Sequence, residues 1–212
     1  MASRHITSSI TDQLAGALTV GGVRIRYIKE GGGKPIVLLH GYSFNADNWF
    51  SSGVAQDLSR DYAVYAIDMP YGAKSKSAKF RSDARGYAEF LKKLLDALSL
   101  RGPPIVGPSM SGEVLLWYVA LGYDTALALL VGPVGLDDKD LQAALSRSKA
   151  RVAAIWGEED EISPPTVYAP LLKKILPQAE VVVIPDAGHP AYLDKPREFL
   201  EVVRSLLSEI GY

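Results

Sequence analysis

Short apolar runs rich in Val, Ile and Leu recur along the chain, at Val23–Ile28, Ile36–Leu39, Ala63–Ile67, Ile105–Val106, Ala128–Val131, Val152–Trp156 and Val181–Ile184. Several are apolar at consecutive positions, which is how a strand covered on both faces reads. Between the runs the spacing changes. Tyr87, Phe90, Leu91, Leu94, Leu95 and Leu98 fall on one stripe of an α-helix. Phe199, Leu200, Val203, Leu206, Leu207 and Ile210 repeat that stripe behind Pro196, a residue suited to a first helical turn. Weaker helical patterns cover Trp49–Ser59, Val114–Leu121, Leu141–Ser148 and Val167–Leu176. This alternation predicts one α/β domain over 17–212, a mostly parallel sheet flanked by helices on both faces, with 1–16 as a loose N-terminal segment. In such sheets ligands bind beyond the carboxyl ends of the strands, so the loops that follow the strands are the places to search.

Composition narrows the class. At 212 residues, 48% hydrophobic and 22% charged, the chain reads as an ordinary soluble globular protein. A net charge of −1 argues against a nucleic-acid partner. The longest apolar run, Val114–Leu121, falls well short of the ~20 residues a membrane helix needs. The N-terminus shows no secretory h-region, so the expected location is the cytoplasm. The cysteine count of zero excludes thiol catalysis, disulfides and cysteine-ligated metals. Few Asn and Gln residues fit a thermophilic source as well as they fit chance.

The candidate chemistry sits in those loops. Ile105–Val106 runs into Gly107-Pro108-Ser109-Met110-Ser111-Gly112, after which a helix begins. A strand-to-helix turn this tight strains its apex residue and lifts that side chain above the sheet, which makes Ser109 the candidate nucleophile. The plainer reading is a Gly/Ser-rich loop whose serine caps the helix. Ser111 competes for the role but sits where the helix has already begun. A serine hydroxyl needs a base. Of the three histidines, His5 lies near the terminus, His40 directly follows a strand, and His189 occupies a loop after the last strand. His189 is the best placed. A carboxylate must orient the base, and Gly157-Glu158-Glu159-Asp160-Glu161 follows another strand. Asp160 is the candidate, with Glu158, Glu159, Glu161 and Asp137 as competitors. The Met110 amide and the Tyr42 amide, in His40-Gly41-Tyr42-Ser43, are candidate oxyanion donors.

Leu38-Leu39-His40-Gly41, Gly107-x-Ser109-x-Ser111-Gly112, Gly157-Glu158-Glu159-Asp160 and Gly188-His189, followed by Asp194-Lys195-Pro196, stand in an order that resembles the α/β-hydrolase family. Two departures stand out. Ser111 occupies the usual fifth-position glycine. Asp68-Met69-Pro70-Tyr71-Gly72-Ala73-Lys74-Ser75 resembles the family's D-x-P-G-x-G-x-S turn with Tyr71 and Ala73 at glycine positions. Many relatives insert a helical lid where this chain has just Gly132–Arg151, so no cap domain is expected and the site should be open and shallow. The chain is similar to the compact lid-free branch known as α/β-hydrolase domain-containing protein 14.

The resemblance implies a carboxylesterase acting on short acyl esters through an acyl-enzyme, with small-molecule substrates, no cofactor and no metal; a monomer or homodimer is expected, since closed homodimers are common. Gly41, Tyr42, Met69 and Pro190 are candidate substrate contacts, with Trp117 and Val134 as further acyl-pocket candidates. An amide or acyl-lysine deacylase, and a non-catalytic ligand-binding relative, are the alternatives. Ser109 at the elbow disfavours dehalogenase and epoxide-hydrolase chemistry, where relatives carry Asp. Lys74, Lys76, Lys79, Arg81 and Arg85 form a basic stretch broken only by Asp83. It could steer an anionic substrate, contact a partner, or simply be solvated.

Overall fold

The computed structural model describes residues 14–212. His5 and most of the predicted N-terminal segment lie outside the described residues. Eight strands form one sheet: β1 (Leu14–Val20), β2 (Val23–Glu30), β3 (Pro35–Leu38), β4 (Ala63–Ile67), β5 (Ile105–Pro108), β6 (Ala128–Val131), β7 (Val152–Gly157) and β8 (Glu180–Ile184). Their spatial order is β1-β2-β4-β3-β5-β6-β7-β8. From β4 through β8 the neighbours are parallel, while β1 and β2 add an antiparallel edge.

Strand β1 is absent from the sequence reading. Its LAGALTV stretch lacks the β-branched density of the other runs, and most of it is exposed. A two-residue turn with Gly21 and Gly22 at φ 54° and 80° joins it to β2. Both angles suit a tight hairpin turn that only glycine adopts without strain. Residues 14–16 are therefore paired with β2 rather than loose.

Helices cover both faces. On one lie α3 (Ala84–Ala97), α4 (Met110–Ala120), α5 (Lys139–Leu145) and α6 (Pro165–Ile175). The other holds α1 (Asp47–Ser51), α2 (Val54–Leu58), α7 (Ala191–Asp194) and α8 (Pro196–Glu209). Strand side chains alternate between the two cores: Val37 and Ile105 face the first, Ile36 and Val106 the second, as the two-residue pleat requires. The stripe of α3 is buried from Tyr87 to Leu95, and Asp83 caps its start through Gly86 N at 2.7 Å. Helix α4 is apolar all round and correspondingly enclosed. The predicted Trp49–Ser59 helix is two short ones, because Gly53 takes φ 83° between them. Between β6 and β7 the chain forms a single short helix, α5, and no cap.

The carboxyl ends of β7 and β8 are locked in register. Glu158 N donates to Ile184 O at 2.9 Å and Glu159 N to Ala187 O at 2.8 Å. Gly157 lies so close to this loop that a Cβ there would strike the carbonyl oxygens of Ala187 and Gly188. Gly157→Ala should therefore lower stability by about 1–3 kcal/mol, read as a fall of roughly 2–10 °C in Tm. An unchanged Tm would show that the loop gives way freely.

Candidate functional site

Ser109 sits between β5 and α4 with φ 52° and ψ −117°. A non-glycine residue in that region is strained, at a cost of about 1–3 kcal/mol. The surroundings enforce it. Ser109 N donates to Val131 O at 2.8 Å, and Ser109 O accepts from Gly112 N at 2.8 Å. Any Cβ at Gly107 would press on Ser111 O and Leu115, and one at Gly112 on Pro133. The Ser109 side chain makes no capping bond to α4, which sets aside the helix-cap reading.

Asp160 and His189 are in contact. His189 Nδ1 lies 2.8 Å from Asp160 Oδ2 and 3.0 Å from Oδ1. The Asp160 side chain is fully buried, and that of His189 is 15% exposed. Asp160 Oδ1 also accepts from Ile162 N at 2.9 Å and Ser163 N at 2.8 Å. Ser163 Oγ in turn donates to Pro133 O at 2.7 Å, tying this turn to the β6 loop. Of the competing acids, Glu158, Glu159 and Glu161 are exposed. Asp137 instead accepts from Tyr168 OH at the surface.

Ser109 and His189 line one cavity of about 210 Å³, together with Gly41, Tyr42, Phe44, Ile162, Pro190 and Tyr192 among others. Tyr42 (59% exposed) and Ile162 (65% exposed) stand on its rim, so the cavity opens to solvent. The Ser109 hydroxyl has no hydrogen-bond partner among the described residues, His189 included. Contacts of this kind often tighten only in complexes.

The six other sequence candidates separate cleanly. Gly41, Tyr42 and Pro190 line the cavity. Met69 does not: it is fully buried in the core, and its amide donates to His40 Nε2 at 3.0 Å. Trp117 also faces elsewhere, lining a separate groove beside Arg85 and Glu113. Val134 is half-buried and not among the cavity's lining residues.

His40 has a structural role that its sequence position does not reveal. It is fully buried, and its Nδ1–H donates to Gly41 O at 2.9 Å while Nε2 accepts from Met69 N. These bonds select the neutral Nδ1 tautomer. Gly41 O belongs to the same peptide as the Tyr42 N–H. In a trans peptide the two point in opposite directions, so His40 fixes the plane on which that N–H is presented. Neither the Tyr42 amide nor the Met110 amide, the first of α4, meets an acceptor among the described residues.

The two sequence departures meet each other. Tyr71 OH and Ser111 Oγ are 2.5 Å apart, and Ser111 Oγ donates to His40 O at 2.5 Å. Ser111 is thus neither cap nor nucleophile; it ties α4 to the His40–Tyr42 loop. Burial raises the Tyr71 phenol well above its ordinary range and keeps it protonated. Gly72 carries the positive φ of this turn, +89°, and a Cβ there would meet Tyr42 O.

A family model for the alpha/beta hydrolase fold matches residues 34–143 and 128–196. A human protein named as a protein-lysine deacylase, ABHD14B, is 33% identical over 77% of this chain and 78% of its own length. ABHD14A from Danio rerio is 32% identical over 82% of this chain and 64% of its own. In structure, a CIB-like hydrolase from Thermoplasma acidophilum superposes with a TM-score of 0.83 at 24% identity, covering 93% of this chain and 98% of that one.

Two measurements probe this arrangement. Burial lowers the His40 pKa below 6.5, whereas an unfolded histidine titrates near that value. Below 6.5 the unfolded chain therefore binds the extra proton, and stability falls as pH drops through the window down to the lowered folded value. Denaturant midpoints between pH 7 and 5 should decline less steeply in His40→Gln than in the natural chain; equal slopes would show that His40 charges freely. Ser111→Ala strips a buried phenol and a buried carbonyl of their partner and should cost about 1–3 kcal/mol. Adding Tyr71→Phe should cost less than its effect alone, and strict additivity in the double-mutant cycle would refute the coupling.

Proposed function

The chain belongs to the α/β-hydrolase family, and from that premise we propose that this hydrolase is a carboxylesterase that cleaves short-chain acyl esters through an acyl-enzyme. The observation that carries the reading is the hydrogen-bonded Asp160–His189 pair sharing one cavity with the strained Ser109. In the first step Ser109 Oγ attacks the ester carbonyl while His189 Nε2 takes its proton. Asp160 holds the imidazole by Nδ1 and stabilises the imidazolium. The oxyanion is met by the amides of Met110 and Tyr42, donors already fixed before substrate arrives. His189 then returns the proton to the leaving alcohol. A water molecule repeats the sequence on the acyl-enzyme, releasing a carboxylate and restoring Ser109. These side chains and water supply every proton and bond the reaction requires. The 210 Å³ cavity and exposed rim favour small esters, since little depth is available to bury a long chain.

A second reading, removal of acyl groups from lysine side chains, is favoured by the name of the ABHD14B relatives. The exposed rim at Tyr42 and Ile162 would leave room for a peptide. It uses the same triad on an amide.

Ser109→Ala should abolish hydrolysis of a small acetyl ester, a loss of at least about 10³-fold, with the Tm retained or raised. A fluorophosphonate should label the natural chain and leave this variant unlabelled. Failure to label the natural chain would leave a binding protein as the surviving account. Parallel assays on acetyl esters and acetyl-lysine peptides rank the two substrate classes by kcat/KM.

A further inference from the structure

A second groove, of about 500 Å³, shares Tyr42 with the cavity of Ser109 and His189. It is lined by Tyr42, Met110, Tyr71, Phe80, Lys79 and Arg81 among others. Two of its residues carry the proposed oxyanion amides, and Tyr42 borders both cavities. Its lining holds two cations and no acid. Two other members of the same basic stretch face acids: Lys76 pairs with Asp47 at 2.7 Å, and Arg85 lies 3.6 Å from Glu89. Lys79 and Arg81 have no acidic partner among the described residues.

The segment that carries them has no helix or strand, yet it is tied down at both ends. Ser75 Oγ donates to Met69 O at 2.7 Å, and Ser77 Oγ to Asp68 O at 2.6 Å. Ala78 N donates to Arg24 O at 2.8 Å, and Tyr87 OH to Phe80 O at 2.8 Å. Ala73 N reaches Tyr42 O at 2.7 Å, and Lys79 Nζ leans back to Ala73 O at 3.4 Å. The backbone that carries the two cations is thus tied down beside the oxyanion loop, and both side chains line the groove.

Chemistry decides which end of a substrate enters. The leaving oxygen takes its proton from His189, so the leaving group must stay in the cavity that His189 lines. The second groove borders Met110 and Tyr42 but not His189. We propose that this groove is an acyl-arm subsite for carboxylate-bearing acyl groups, the half-esters of dicarboxylic acids, with Lys79 and Arg81 receiving the distal carboxylate. The inference rests on the esterase reading for its orientation.

The test compares three esters on the natural chain and on the Lys79→Gln/Arg81→Gln double variant. Ethyl hydrogen adipate carries its charge on the acyl arm, ethyl hexanoate carries none, and 4-acetoxybutanoate carries it on the alcohol arm. Two solvent-exposed pairings are worth about fivefold to tenfold together. The double variant should lose that factor in kcat/KM for ethyl hydrogen adipate and stay within about twofold for the other two. Added salt should erase the natural chain's preference for the charged acyl arm. An unchanged adipate rate, or an equal loss with 4-acetoxybutanoate, overturns the subsite. Calorimetric binding of ethyl hydrogen adipate to Ser109→Ala protein, with and without the two substitutions, reads the groove independently of turnover. If no ester is hydrolysed, the esterase reading fails. Binding then decides alone: a fivefold or greater weakening supports the groove, and equal or absent binding rejects it.

Discussion

A carboxylate sealed from water is costly unless donors surround it, and Asp160 is met by two backbone amides and one imidazole. The amides come from the turn after β7 and the imidazole from the loop after β8. Neither loop can shift without leaving the charge unpaired. The cross-links from Glu158 and Glu159 to the β8 side, and the close approach at Gly157, hold the two loops in the one register that meets this demand. The placement of His189 over the cavity follows from that arrangement.

A second constraint acts on the opposite wall. The strained Ser109 backbone, the start of α4 and the His40–Tyr42 loop are joined through Ser111 Oγ and the carbonyl of His40. Tyr71 closes the network from the neighbouring turn. Both residues replace glycines of the family pattern, and each supplies a hydroxyl where the pattern has none. The pair thus exchanges backbone freedom for a buried hydrogen-bonded tie behind the proposed oxyanion donors. His40 contributes in the same direction, since its neutral imidazole bonds the carbonyl of the peptide that carries the Tyr42 amide.

The absence of a cap between β6 and β7 shapes what the site can select. With only α5 in that connection, Tyr42 and Ile162 stand exposed at the mouth. Discrimination then falls to residues around the rim rather than to an enclosing lid. The irregular segment 68–82 meets the loop of Tyr42 through the Ala73 N to Tyr42 O bond, and its hydrogen bonds fix its backbone.

Much of this was legible before the structure. The parallel strands, the long helices α3 and α8, and the loops bearing Ser109, Asp160 and His189 could be read from apolar periodicity and small-residue turns, because those patterns record local backbone needs and burial. Periodicity could not reveal β1, whose side chains are mostly exposed and whose place is set by pairing with β2 through Gly21 and Gly22. Nor could it show that Met69 faces the core, that Trp117 lines another groove, or that Tyr71 and Ser111 touch across forty positions of chain. The amino-acid order alone determined which residue types stand at the strand ends. Which of them meet was decided by the tertiary structure, because contacts between distant segments depend on sheet order and helix packing, quantities that no local window contains.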